Sequence, residues 1–224
     1  MKKSNKLLIA LYTIIFAAMI GYSFAVKSEY DKYDKNDPYY GYYREELKPL
    51  RFVKFEGMPN LHVTIKKGIK SEMIMKELGE NEKKSVTITK KQIGDTLFIK
   101  VTGQKVFSTF NDPFLFITTP SLHKLEISNS HYRLFDFKQD SLLVIQSGNN
   151  GSVNNSQVQN LTVKLTNRGE FKINGPNGIT SANLSIFGNS ILTVGKNIFT
   201  TFELDIDSTS SANLPGSLIK ERLK

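Results

Sequence analysis

Three histidines, His62, His123 and His131, are the side chains in this chain whose chemistry suits acid–base work or metal binding near neutral pH. Zinc-type sites draw ligands from short pairs such as His-x-His or His-x-x-His, which put two imidazoles on one face of an element. No such pair occurs. His62 alternates with Leu61 and Val63, and His123 follows Pro120 in a turn, so the spacing predicts exposed strand and turn histidines. The absence of cysteine removes disulfides, thiol nucleophiles and thiolate ligands together. Serines are abundant, but no Gly-x-Ser-x-Gly elbow is present. The expectation is no metal and no cofactor.

Paired carboxylates are the other source of chemistry, since a glycosidase needs a general acid and its partner about 5 to 10 Å apart. Glu126, Asp205 and Asp207 fall on outward positions of their segments, as do Lys164 and Lys172. Glu126 and Asp205 are separated by four repeats of the pattern described next, about 19 Å at strand spacing, too far to cooperate. Asp205 and Asp207 share one strand, at the last repeat, where a polar cap is expected. No catalytic residue is assigned, and a non-enzymatic protein is expected. Asn154-Asn-Ser156, Asn160-Leu-Thr162 and Asn183-Leu-Ser185 match the glycosylation acceptor pattern, as an asparagine-rich chain will.

The elements that carry these residues follow from a recurring phrase. A Leu or Val, any residue, an Ile or Leu, any residue, then Asn, Ser or Gly recurs at Leu125–Asn129, Leu143–Ser147, Val163–Asn167, Leu184–Gly188 and Leu204–Ser208. The first residues lie 18, 20, 21 and 20 positions apart, the range of stacked repeats. One such unit cannot bury its apolar side chains, whereas units stacked at strand spacing build a continuous column. Gly148-Asn149-Asn150-Gly151, Asn167-Arg168-Gly169 and Gly175-Pro176-Asn177-Gly178 fit the corners, because Asn and Gly tolerate the left-handed conformation. The pattern predicts an all-β fold, a right-handed parallel β-helix (β-solenoid), with a β-sandwich as the alternative.

Upstream, Leu61-His-Val63-Thr-Ile65 and Val86-Thr-Ile88 alternate like half-buried strands, and Thr96–Val101 and Phe114–Thr118 like more fully buried ones. Ser71–Leu78 fits a helix or another strand. After the last repeat, Pro215 and Gly216 end the strand, and Leu218 and Ile219 can fold over the open core as a cap.

The amino terminus reads as an export signal. Three lysines within the first six residues precede Leu7 to Val26, twenty residues free of Lys, Arg, Asp, Glu and His. A helix of that length spans about 30 Å, the thickness of a bilayer core. The stretch is longer than the roughly 7 to 15 apolar residues of a signal peptide, which favours a retained anchor, although Ser23-Phe24-Ala25 fits a cleavage site. The basic flank stays cytoplasmic, so the bulk of the chain lies on the far side of the membrane, periplasmic or extracytoplasmic. Residues 27–50 turn abruptly polar and tyrosine-rich, with Tyr30, Tyr33, Tyr39, Tyr40, Tyr42 and Tyr43 around Asp37-Pro38 and Gly41. This segment reads as a juxtamembrane stalk, and Tyr39, Tyr40, Tyr42 and Tyr43 as its possible binding surface. The net charge of +9 is concentrated in residues 1–112, as Lys pairs such as Lys66-Lys67, Lys83-Lys84 and Lys90-Lys91. Scattered lysines are not the clustered, Arg-rich footprint of a nucleic-acid binder.

Three passages carry a family resemblance: Phe52-Val-Lys-Phe55 with Asn60 to Gly68, Asp95 to Val101, and Ile117-Thr-Thr-Pro120 to Ser128 running into the Asn- and Gly-rich repeats. Over roughly residues 51–216 the chain resembles the head GIN domain of "putative auto-transporter adhesins", exported bacterial proteins prominent in the Bacteroidetes. Its bend Ser128-Asn129-Ser130 replaces the Ser-Gly-Ser common there. The resemblance implies a solenoid outside the inner membrane, and it brings no active site. The expected layout is therefore an anchor over 1–26, a stalk over 27–50, a β domain over 51–216 and a tail over 217–224. The expected role is an adhesin-like surface for an envelope protein or glycan, with the inner membrane as partner through residues 7–26. A polysaccharide-modifying enzyme and an accessory subunit of an inner-membrane complex are the alternatives.

Overall fold

The computed structural model describes residues 3–32, 34, 37, 39–59, 61–76, 85–103, 113–196 and 198–222. Tyr33, Pro38, Asn60, Leu78, Lys83 and Lys84, named above, lie outside them. The chain divides into two compact units, Met1–Gly41 and Tyr42–Lys224.

The first unit is built on helix α1, Lys3–Asp31. Asn5–Asp31 is long and apolar enough to cross a membrane. Two of its hydroxyls bond within the helix: Thr13 donates to the Ile9 carbonyl at 2.8 Å and Ser23 to that of Met19 at 2.9 Å. The helix continues through Lys27 to Asp31, so the polar segment begins as helix rather than as irregular chain.

The second unit contains β1 (Tyr42–Glu46), β2 (Phe52–Glu56), β3 (His62–Lys67), β4 (Glu72–Lys76), β5 (Val86–Ile93), β6 (Thr96–Gly103) and β7 (Leu115–Thr119). The repeat region supplies β8 (Lys124–Ser128), β9 (His131–Phe135), β10 (Lys138–Ser147), β11 (Asn150–Asn154), β12 (Gln157–Thr166), β13 (Glu170–Asn174), β14 (Gly178–Ile186), β15 (Ile191–Val194), β16 (Thr201–Ile206) and β17 (Ser211–Asn213). A short helix, α2, spans Gly216–Arg222.

These strands do not form the parallel β-helix expected from the period. They make two mixed sheets in a sandwich-like arrangement, sheet A ordered β1-β4-β7-β3-β9-β11-β13-β15-β17 and sheet B ordered β16-β14-β12-β10-β8-β2-β6-β5. The physical reason lies in the first half. Between β3 and β8 the chain leaves the repeat path, adding antiparallel β4 between β1 and β7 and antiparallel β5 on β6. From β6 onward the strands alternate between the sheets, and from β8 onward every pairing is parallel. Ser71–Leu78 contributes strand β4, not a helix.

One apolar core lies between the sheets. Val53 and Phe55 of sheet B and Val63 and Ile65 of sheet A belong to it, as do Leu125, Val144, Val163 and Leu184 along the repeats. The pairing corrects the phrase itself at one point. Val144, not Leu143, pairs with Leu125, and Gln146, not Ile145, pairs with Ile127. A one-residue shift in a strand turns each side chain to the opposite face. Leu143 and Ile145 therefore sit on the outer face, half-buried, while Gln146 is buried at 1% exposure.

A buried amide must have its groups satisfied, and Gln146 does. Its Oε1 accepts the Tyr132 hydroxyl at 2.8 Å, and its Nε2 donates to the carbonyls of Gly148, Asn149 and Glu170 at 3.1, 2.6 and 3.1 Å. The Tyr132 ring occupies the space a Cβ at position 151 would need, only 2.2 Å away, which explains Gly151. Burial holds the Tyr132 hydroxyl well above its ordinary pKa, so it remains a donor.

The corners behave as their residue types require. Asn129, Asn149, Asn167, Arg168 and Asn189 have positive φ, as do Gly148 and Gly188. Corner side chains also bond from rung to rung: Asn177 accepts the Ser156 N–H at 2.7 Å, and Asp207 that of Gly188 at 2.7 Å. The two ends are closed differently. At one, the Glu45 carboxylate bridges to Lys90 and the Gln92 amide clasps the backbone of Lys48. At the other, Leu218 of α2 packs into the core while Ile206 on β16, the edge strand of sheet B, stays 37% exposed.

Candidate ligand-binding face

The outer face of sheet A brings together residues that are far apart in sequence. Because β3 and β9 run parallel, His62 pairs with His131 and Thr64 with Arg133. Continuing across the sheet, Arg133 pairs with Ser152, Ser152 with Lys172 and Lys172 with Thr193. The two imidazoles stack, with ring centroids 4.8 Å apart and planes 25° from parallel. Beside them a groove of about 240 Å³ is lined by His62, His131, Arg133, Ser152, Lys172 and Asn174, among others.

The electrostatics of this face are unbalanced. Burial lowers the pKa of both histidines below 6.5, and for His62 the neighbouring His131 and Arg133 add to the effect. Lys172 is neutralised by Glu170 at 2.8 Å. Arg133 is exposed and has no ion-pair partner among the described residues. Two imidazoles held neutral next to an uncompensated guanidinium make a poor cation site and a good anion site. No group of three or more His, Asp, Glu or Cys that could hold a metal ion occurs among the described residues.

The outer face of sheet B is built on the same ladder logic but balances its charges. Glu126 receives Lys54 at 2.6 Å and Lys124 at 3.2 Å, and Lys100 meets Glu56 at 2.8 Å. These lysines, foremost Lys54, pull the Glu126 carboxyl below its usual value. A broader groove of about 470 Å³ there is lined by Phe52 and Phe98 together with this ion-pair cluster. Glu126, Ile145, Lys164, Ser185 and Asp205 lie in one row across β8, β10, β12, β14 and β16. Glu126 and Asp205 are thus four strands apart, about 19 Å. Asp207 is held down to about pKa 2, chiefly by the Gly188 N–H, with Ser210 and Thr209 also bonding to it. The outward carboxylates singled out in the sequence are therefore either distant or tied into structure.

Each remaining sequence candidate has a definite place. Tyr39 and Tyr40 lie in the first unit, Tyr42 and Tyr43 on β1 of the second. Tyr42 packs edge-on against Phe116 with centroids 6.1 Å apart. Tyr43, its neighbour along an extended strand, points to the other face and donates to Glu45 at 3.4 Å, so these two do not share a patch. His123 lies in a bend with its ring tilted against Phe52. The three acceptor-pattern asparagines use their amides internally, on Ser152, the Asp140 carbonyl and Glu203. The His62–His131 pair and Arg133 escaped sequence reasoning because they meet only through parallel strand pairing across 69 residues; the signal that could have shown it is that each histidine opens a strand at the same offset.

No protein-family model and no curated protein matches the sequence. Solved structures do resemble the fold. One is a "putative adhesin" from Bacteroides fragilis, 13% identical with a TM-score of 0.49, covering 79% of this chain and 99% of that one. A "putative lipid binding protein" from Parabacteroides distasonis is 12% identical, with a TM-score of 0.38 and coverage of 78% and 96%. A "putative adhesin" from Parabacteroides merdae is 14% identical, with a TM-score of 0.30 and coverage of 77% and 94%. None of the three is named as a head GIN domain.

Proposed function

We propose that this chain is a non-enzymatic binding protein of the cell envelope, tethered by α1 and presenting the outer face of sheet A to a glycan. The observation that carries this reading is the uncompensated Arg133 set among Ser152, Thr193, Asn174 and the histidine pair on one side of a rigid sheet. A flat ladder of hydroxyl, amide and cationic groups offers hydrogen bonds to hydroxyls and carboxylates without requiring the ligand to be consumed. The span Asn5–Asp31 and the basic residues before it support a retained anchor with the second unit outside the membrane. A head GIN-type adhesin is the family this reading points to.

The test is to incubate the full-length chain in detergent micelles with acidic envelope polysaccharide, following retention of the polymer and release of reducing ends together. Retention without new reducing ends is expected. Steady release of fragments, abolished when Glu126 or Asp205 is replaced, would establish the enzyme instead. Recovery of the mature chain from the soluble fraction, lacking residues 1–25, would replace the anchor with a cleaved signal.

A further inference from the structure

We propose that the groove beside His62 and His131 is a subsite for one acidic sugar residue, whose carboxylate sits on Arg133 and whose hydroxyls reach Ser152, Asn150 and Asn174. This deepens the binding role proposed above and rests on it. The groove, about 240 Å³, is smaller than the roughly 300–1,000 Å³ that hold drug-sized ligands, and it suits a single ring. Arginine presents a planar fork that matches a carboxylate in two parallel hydrogen bonds, and this one is not already spent on a protein carboxylate among the described residues. Ser152 accepts a hydrogen bond from the Asn154 amide at 2.9 Å, leaving its own proton to donate. The side-chain amides of Asn150 and Asn174 have no hydrogen-bond partner among the described residues. They offer acceptors as well as donors, which the several hydroxyls of a sugar ring use more fully than a small inorganic anion does.

Binding should be coupled to protons. The charged groups around the histidine pair are Lys66 on β3, Arg133 on β9 and the Glu170–Lys172 pair on β13; neither β7 nor β11 contains a charged residue. Burial holds both imidazoles neutral, and for His62 the positive charge of Arg133 adds to it; a carboxylate placed on Arg133 offsets that charge and favours proton uptake. The sugar should therefore bind more tightly as the pH falls.

The experiment is isothermal titration of the full-length chain in micelles with glucuronic acid, glucose and inorganic phosphate, at about pH 5.5 and about pH 8. Glucuronate is expected to bind, more tightly at the lower pH, with glucose inert and phosphate weaker. Arg133→Gln should weaken glucuronate roughly tenfold or more. Lys54→Gln, on the opposite face, should leave binding unchanged and shows that lost charge alone is not the cause. Equal binding to Arg133→Gln, or phosphate as tight as glucuronate, overturns the subsite. If glucuronate fails to bind while acidic polysaccharide is still retained, the subsite falls and the binding role stands; loss of both removes the broader reading.

Discussion

The outer faces of the two sheets rest on the same core and use the same ladder construction, yet they dispose of their charges in opposite ways. On sheet B, Lys54 and Lys124 converge on Glu126, and the larger groove is lined by groups that have already found partners. On sheet A, Glu170 neutralises Lys172 but nothing among the described residues neutralises Arg133, and the smaller groove keeps an unspent cation. Of these two grooves, the smaller is the one with an unspent charge. An exposed ion pair contributes little to stability, about 0 to 1 kcal/mol, but it removes both charges from recognition.

The largest expected effect tests what the faces share. Leu184→Ala, at a fully buried position of the repeat column, should cost about 2 to 5 kcal/mol in urea unfolding and loosen both faces alike. Gln146→Ala should come next, about 3 kcal/mol, because it strands the Tyr132 hydroxyl and loses three bonds to carbonyls. Its effect should be uneven: amide shifts around His131 and Arg133, next to Tyr132 on β9, should exceed those around Lys54.

Acid separates the faces further. The folded pKa values of His62 and His131 lie below 6.5, so the unfolded chain takes up protons first. The stability these histidines contribute is complete above about pH 6.5 and is lost as the pH falls through their folded values. Glu126 and Asp207, also depressed, contribute above about pH 4.5 and pH 3.8 respectively, and lose it only below those values. Between about pH 6.5 and 5, loss of stability in thermal melts should accordingly come from sheet A, and His62→Gln with His131→Gln should flatten it. The smallest effect in stability is the most informative in binding. Glu126→Gln should change unfolding by less than about 1 kcal/mol. It frees Lys54 and Lys124, and should create weak anion binding on sheet B where none was present.

Much of this molecule was legible before its structure. The near-20-residue period gives the parallel, in-register pairing of β8 to β17, and the Asn and Gly corners do adopt positive φ. The period did not extend to residues 51–120, whose strands pair out of sequence order and partly antiparallel, and so the expected β-helix became two mixed sheets. Leu143, Ile145 and Ser147 fit the phrase while Leu142, Val144 and Gln146 do not, yet the pairing with β8 turns the second set inward. The candidate site was illegible for a related reason: strand register, not local spacing, sets His62 against His131.

The most direct test of the central claim is to map glucuronate onto the full-length chain by amide NMR in micelles. Shifts confined to His62, His131, Arg133, Ser152 and Lys172 are predicted, with Lys54, Glu126 and Lys124 unmoved. Shifts centred on sheet B, or none at a saturating concentration, would contradict it.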